Sequence, residues 1–149
     1  MSALTNDEKN KTNVKKETIQ PTKRILKDVI NIYKNPLTEN NIFYKHDDTD
    51  ILRGYAMIIG PGDTIYAHGF YFFKFKFPSN YPFSPPKVTY LTNNGSTRFN
   101  PNLYRNGKVC VSILNTWSGP KWSSCQTIRS ILLSLITLFH NTPLTNEPG

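Results

Sequence analysis

The stretch Arg98–Leu114, RFNPNLYRNGKVCVSIL, decides how the rest of the chain is read. An Asn-Pro-Asn turn at Asn100–Asn102 leads to an Asn-Gly turn at Asn106–Gly107 and then to Cys110, set between Val109 and Val111. Free cysteine is among the most buried residue types, so one reading of Cys110 is a small core hydrophobe. A chemical reading needs a neighbour that assists the thiol. Asn102 offers one, because Pro101 restricts the approach to it and the Asn-Gly turn can fold the chain back towards it. A carboxamide beside a thiol can donate to the oxyanion of a tetrahedral intermediate, a contact worth roughly 3–4 kcal/mol where it has been removed elsewhere. It can equally hold the turn together, and the spacing leaves both roles open.

Around this stretch, 149 residues suggest one domain, long enough to bury about two thirds of its unfolded surface without metal or disulfide. Two cysteines at no zinc-site spacing, with no apolar leader in MSALTNDEKNKTNVKKE, point to a reducing compartment, cytoplasm or nucleus. The longest apolar run, Ile131–Phe139, falls well short of the roughly 20 residues that cross a bilayer. The net charge of +8 raises nucleic acid or anionic lipid as a partner. The lysines are spread along the chain with no nucleic-acid motif, so a basic face meeting an acidic protein is the simpler expectation.

Residues 1–21 are polar and lysine-rich and predict a disordered tail, leaving 22–149 as the core domain. Thr22–Asn35 has helical periodicity, with Ile25, Leu26, Val29, Ile30 and Tyr33 as its apolar stripe, Lys23, Arg24 and Lys27 on the other face, and Pro36 as its stop. From Ile42 to Thr92 the pattern turns to strands: Ile51–Ile59, Phe70–Phe77 and Val88–Leu91, separated by turns at Gly60–Asp63 and Pro85-Pro86. Tyr71, Phe73, Phe75 and Phe77 alternate with Phe72, Lys74 and Lys76, as in a strand with one better-buried face. Short turns make this an antiparallel meander. His46, His68 and His140 share no ligand spacing and read as surface or turn residues. Ser123–Gln126 has the S-x-x-Q form of a capping box, and Ile128, Ile131, Leu132, Leu135, Ile136 and Phe139, widened by Leu133 and Leu138, predict a buried helix after it.

The eight-residue step from Asn102 to Cys110 matches the step from the His-Pro-Asn turn to the catalytic cysteine in one family. Ile59-Gly60-Pro61, the run Phe77–Val88 (FPSNYPFSPPKV) and Trp122-Ser123 also fall in that family's order and near its spacing. Over about Thr22–Gly149 the sequence resembles the ubiquitin-conjugating enzymes. It departs from them in having Asn100 where histidine is usual, and in the segment Thr116–Lys121, TWSGPK, which lengthens the path from the cysteine to Trp122. Those features and the NEPG ending resemble the large, divergent subclass charged by the second ubiquitin-activating enzyme.

The resemblance implies an α+β fold: an N-terminal helix, a four-stranded antiparallel meander, a cysteine segment and a buried central helix. Relatives usually continue into C-terminal helices, which this sequence is not expected to form. It implies transfer of ubiquitin or a ubiquitin-like protein from an activating enzyme to Cys110 as a thioester, and then to a substrate lysine, with or without a ligase. Such a carrier needs no cofactor, since ATP is used by the activating enzyme. A free thiol of pKa about 8.5 is roughly three per cent thiolate at neutral pH, and thiolate is a strong nucleophile. The sulfur must, however, be reachable by a bulky donor. Asn102 would support the oxyanion or the turn, Asn100 would replace the histidine structurally, and Glu147 would orient the lysine. Lys23, Arg24 and Lys27 would meet the activating enzyme, while Phe77, Pro78, Ser123 and Ser124 would form the ligase loops. Cys125 is given no catalytic role. The alternatives are an inactive scaffold of the same fold, a cysteine hydrolase, for which no histidine partner is recognisable, and a nucleic-acid module resting on charge alone.

Overall fold

The computed structural model describes residues 21–146. The expected tail up to Gln20 and the position of Glu147 lie outside the described residues. Pro21, read from sequence as the end of the tail, is helical and buried. Helix α1 covers residues 21–34. Strands β1 (Ile42–His46), β2 (Arg53–Ile59), β3 (Phe70–Lys76) and β4 (Lys87–Tyr90) follow, and then helix α2 (Ile128–Ile136). Short 3-10 turns stand at Thr38–Asn40, Ser112–Leu114 and Pro143–Asn146. The strands form one sheet in chain order, each antiparallel to the next, which is the expected meander.

The alternation in β3 sets the sheet's inner face. Phe73 and Phe75 are fully buried, and the register places Tyr44, Ala56, Phe73 and Tyr90 in one row across all four strands. The large rings fit because β2 supplies small partners. A Cβ on Gly54 would lie 2.0 Å from the Tyr44 hydroxyl, so any larger residue there would displace that ring. Ile128, Ile131, Leu132 and Leu135 of α2 have no exposed surface and join the same core.

Helix α1 buries only part of the expected stripe. Ile25, Val29 and Ile32 face the core, whereas Leu26, Ile30 and Tyr33 are about half exposed. Both sets repeat at helical spacing, and what separates them is Asp28, which is 5% exposed. Its carboxylate accepts from the Tyr81 hydroxyl at 2.5 Å and from Arg24 Nε at 3.1 Å, drawing that side of the helix inward. His46 is also buried, against expectation. Its Nε2 donates to the Ile51 carbonyl and its Nδ1 accepts from the Tyr44 hydroxyl, each at 2.8 Å, so the ring closes the β1–β2 turn. His68 is exposed at φ +64°, as suits a turn.

The capping box lies four residues beyond the predicted one. Thr127 caps α2: its hydroxyl accepts from the Ser130 N–H while the Ser130 hydroxyl accepts from the Thr127 N–H. Ser123–Gln126 forms a separate turn, with the Gln126 N–H donating to the Ser123 carbonyl at 3.0 Å. Two neighbours on α1 test its orientation. Ile25→Ala should lower the unfolding free energy in urea by about 2–5 kcal/mol, whereas Leu26→Ala should cost under about 1 kcal/mol.

Candidate active site

Between Asn100 and Cys110 the chain folds into a tight hairpin. Leu103 bridges Val109, the Tyr104 N–H donates to the Lys108 carbonyl at 2.9 Å, and the Gly107 N–H donates to the Tyr104 carbonyl at 2.9 Å. Gly107 turns the chain at φ +90°, a conformation that side chains disfavour. The hairpin closes on the two residues singled out from sequence. The Cys110 N–H donates to the Asn102 carbonyl at 2.9 Å, and Asn102 Nδ2 donates back to the Cys110 carbonyl at 2.7 Å. Because a carbonyl only accepts, the amide nitrogen must face it. Of the two roles open to this carboxamide, its resting geometry is that of turn support. Its Oδ1 is buried without a hydrogen-bond partner, which costs roughly 1–3 kcal/mol.

Asn100 anchors this hairpin to the rest of the fold. At 1% exposure, its Oδ1 accepts from the Asn102 N–H at 2.9 Å. Its Nδ2 donates to the Tyr66 hydroxyl at 2.9 Å and to the Leu138 carbonyl, just beyond α2, at 2.8 Å. The Tyr66 hydroxyl donates in turn to the Phe99 carbonyl at 3.0 Å. Burial raises the pKa of Tyr66 above its ordinary value, while the bond from Asn100 pulls it the other way.

Sequence reasoning missed Thr116. Its hydroxyl accepts from the Val111 N–H at 3.0 Å and donates to the Val109 carbonyl at 2.7 Å, gripping the backbone on both sides of Cys110. Threonine in the lengthened TWSGPK segment was the available signal. Beside the cysteine runs an open groove of about 540 Å³, lined by Asn102, Val111, Ile113, Trp117, Leu133 and Leu138 among others. Cys110 lines neither this groove nor a second one of about 550 Å³ between β4 and Asn106–Val109. Cys110 itself is 3% exposed. The sulfur-bearing residue is therefore closed off at rest, contrary to the reachable thiol that a carrier role demands. Cys125, by contrast, is exposed. Among the described residues no group of three His, Cys, Asp or Glu side chains could hold a metal ion, and no helix is long and apolar enough to cross a membrane.

The predicted partner surfaces divide. Lys23 and Lys27 are exposed on α1, but Arg24 is turned away from solvent, its side chain 22% exposed beside Asp28. Ser123 and Ser124 are exposed and Pro78 is half-buried. Phe77 is 2% exposed, packed against Tyr81 and His46. It extends the Phe73–Phe75 alternation past the end of β3, so it points into the core and cannot be a surface anchor. The exposed aromatic of that loop is Phe83, at 70%. It lies among Tyr81, Pro82 and Pro85-Pro86, outside any strand, and that position was the signal for it.

Residues 24–149 match the family described as "Ubiquitin-conjugating enzyme". The chain is 48% identical over 127 residues to human "Ubiquitin-conjugating enzyme E2 Z", with 85% of this chain and 35% of that protein covered. It is 44% identical over 137 residues to the "Probable ubiquitin-conjugating enzyme protein 17" of Caenorhabditis elegans, with 86% of this chain and 18% of the relative covered. Human ubiquitin-conjugating enzyme E2 G1 superposes with a TM-score of 0.66 at 32% identity, over 77% of this chain and 90% of that one. The chain belongs to the ubiquitin-conjugating enzyme family. It spans about a third of the length of the human E2 Z protein it matches.

The closed site has a direct consequence for thiol reactivity. In the native chain Cys125 should be alkylated by iodoacetamide at least about tenfold faster than Cys110, with the two rates converging in denaturant. Peptide mass spectrometry of a time course reads both rates.

Proposed function

We propose that this chain is a ubiquitin carrier that accepts ubiquitin or a ubiquitin-like protein from an activating enzyme as a thioester on Cys110 and passes it to a substrate lysine. The observation that carries this reading is the reciprocal closure of Asn102 on Cys110, which presents the cysteine at the family's spacing on a backbone held from both sides. In charging, the Cys110 thiolate attacks the thioester carbonyl of the donor, a new C–S bond forms, and the activating enzyme's thiolate leaves. In discharge, a neutral lysine amine attacks the same carbonyl, an amide forms, and the Cys110 thiolate departs as the amine loses its proton. Lysine in water has a pKa of about 10.4, so desolvation in the groove is what makes the amine available.

The partner surfaces follow from exposure. Lys23 and Lys27, with the outward Leu26 and Ile30, offer α1 to an activating enzyme, and the likeness to E2 Z favours the second activating enzyme. Pro78, Phe83, Ser123 and Ser124 offer themselves to ligases, Phe83 taking the role first expected of Phe77. Two unpaired thiols fit work in the reducing cytoplasm or nucleus. Glu147 as the residue that orients the lysine is part of the same proposal.

The 3% exposure of Cys110 favours one alternative, an inactive scaffold of the same fold. Charging therefore requires Cys110 to become more exposed than it is here. Incubated with activating enzyme, ATP and ubiquitin, the wild type should give a reductant-labile adduct, Cys110→Ser a reductant-resistant one and Cys110→Ala none, while Cys125→Ala should charge normally. No adduct with either ubiquitin-activating enzyme would leave the scaffold reading in its place. Phe83→Ala should charge normally yet lose roughly 2 kcal/mol of ligase binding, as expected for an exposed aromatic anchor. Titration with a ligase domain that stimulates the wild type measures that loss.

A further inference from the structure

One side chain of α1 touches both loops just assigned to ligases. Arg24 Nη1 donates to the Ser124 carbonyl at 2.7 Å and Nη2 to the Gln126 carbonyl at 2.6 Å. Its Nε donates to Asp28 Oδ1, and Asp28 Oδ2 accepts the Tyr81 hydroxyl at 2.5 Å. The guanidinium also lies 5.8 Å from the centre of the Tyr81 ring. The two loops meet again above this point, where Trp122 Nε1 donates to the Pro82 carbonyl at 2.7 Å and the Trp122 and Tyr81 rings stand 5.9 Å apart. Burial, and then the bond to Asp28, push the Tyr81 hydroxyl's pKa well up, so it remains a donor at neutral pH.

We propose that Arg24 is a positioning residue: together with Asp28 it sets the placement of the Ser123–Gln126 loop and, through Tyr81, of the loop that displays Phe83, so that this side chain shapes the ligase surface from beneath. This rests on the carrier reading and divides the basic face of α1 by task. Lys23 and Lys27 point to solvent and can meet a partner, whereas the Arg24 fork is already engaged. Only a guanidinium serves this position. Its planar fork satisfies two carbonyls and a carboxylate together, a geometry that the single ammonium of lysine cannot reproduce.

The test compares Arg24→Met, Arg24→Lys, Tyr81→Phe and Lys23→Ala/Lys27→Ala, each confirmed folded by its thermal unfolding transition. With a RING ligase domain chosen because it stimulates discharge of the wild type, Arg24→Met should raise the half-saturating ligase concentration about tenfold, the factor expected for one lost charge-assisted hydrogen bond. Ligase-free discharge to lysine and the charging rate should stay within about twofold. Arg24→Lys should not rescue it. The double lysine variant should do the opposite, slowing charging in a salt-dependent way and leaving the ligase response alone. Amide hydrogen exchange supplies a readout that needs no partner: Arg24→Met should accelerate exchange in the 123–126 loop, and Tyr81→Phe in the 78–84 loop. Normal protection at 123–126 in Arg24→Met, or a charging defect equal to that of the double lysine variant, would overturn the assignment. If the wild type forms no thioester, the carrier reading falls, and the exchange measurement still decides what Arg24 positions.

Discussion

The Asn100 carboxamide spends one acceptor and both donors in a single buried place, and the cysteine hairpin is located in the fold by those three bonds. Its oxygen shapes the turn through the Asn102 N–H, while its nitrogen reaches a carbonyl just past α2 and the hydroxyl of Tyr66 in the β2–β3 connection. That connection is tied to the end of α2 independently, since Asn141 accepts from the Ile65 N–H and donates to the Asp63 carbonyl. Three segments distant in sequence therefore converge on the turn. A neutral imidazole in the same place has one donor and one acceptor. Asparagine supplies a further donor, so replacing the family's usual histidine is consistent with a fully bonded anchor. Each such bond contributes only about 1 kcal/mol net, but leaving any of these buried partners unmatched costs more.

What could be read from sequence, and what could not, follows from the range of the forces involved. The meander was legible because Phe73 and Phe75 alternate with lysine and solvent-facing residues, and period-two burial is a local property of one strand. The Asn102–Cys110 pairing was legible because a tight turn and a short hairpin leave few ways to close. The buried face of α1 was legible only in part, since Ile25 and Val29 were in the expected stripe and Ile32 was not. Ile25-Val29-Ile32 and Leu26-Ile30-Tyr33 have equivalent spacing, and the choice between them is made by Asp28 meeting Tyr81, 53 residues away. Arg24 looked like a surface charge for the same reason, since its carbonyl partners lie about a hundred residues further on. Phe77 and Phe83 were confused differently: both sit in one proline-rich run, but only Phe77 keeps the phase of β3. The S-x-x-Q signal at Ser123 was a true local pattern, but Thr127 and Ser130 formed the capping box nearer the helix.

The basic composition resolves in a similar way. Among the described residues Arg53 lies beside Asp47 and Asp50, Lys45 beside Asp48, and Arg24 beside Asp28. Thr49 and Asp50 donate backbone and side-chain bonds to Asp47, and these, led by the Thr49 N–H, hold its carboxyl below the usual range. Arg129 is turned towards α1, where it meets the Asn35 carbonyl and the Asn31 side chain. Lys23 and Lys27 remain outward on α1, next to half-exposed Leu26 and Ile30. Cations interleaved with aliphatic side chains on one helix face suit a protein partner that is acidic at its rim and apolar at its centre.

The closed thiol then limits how the site can open. Cys110 is bonded through its own N–H and carbonyl to Asn102, and its neighbours Val109 and Val111 are bonded to Thr116. Peeling this strand away would break four hydrogen bonds and leave buried groups unmatched, at a cost of several times about 1 kcal/mol. Two side chains of the neighbouring groove carry more exposed surface. Leu133 is 38% exposed and Trp117 is partly exposed, and rotating an exposed side chain is a far cheaper and faster event than unzipping a hairpin. The cysteine strand is thus the more firmly held side of this site.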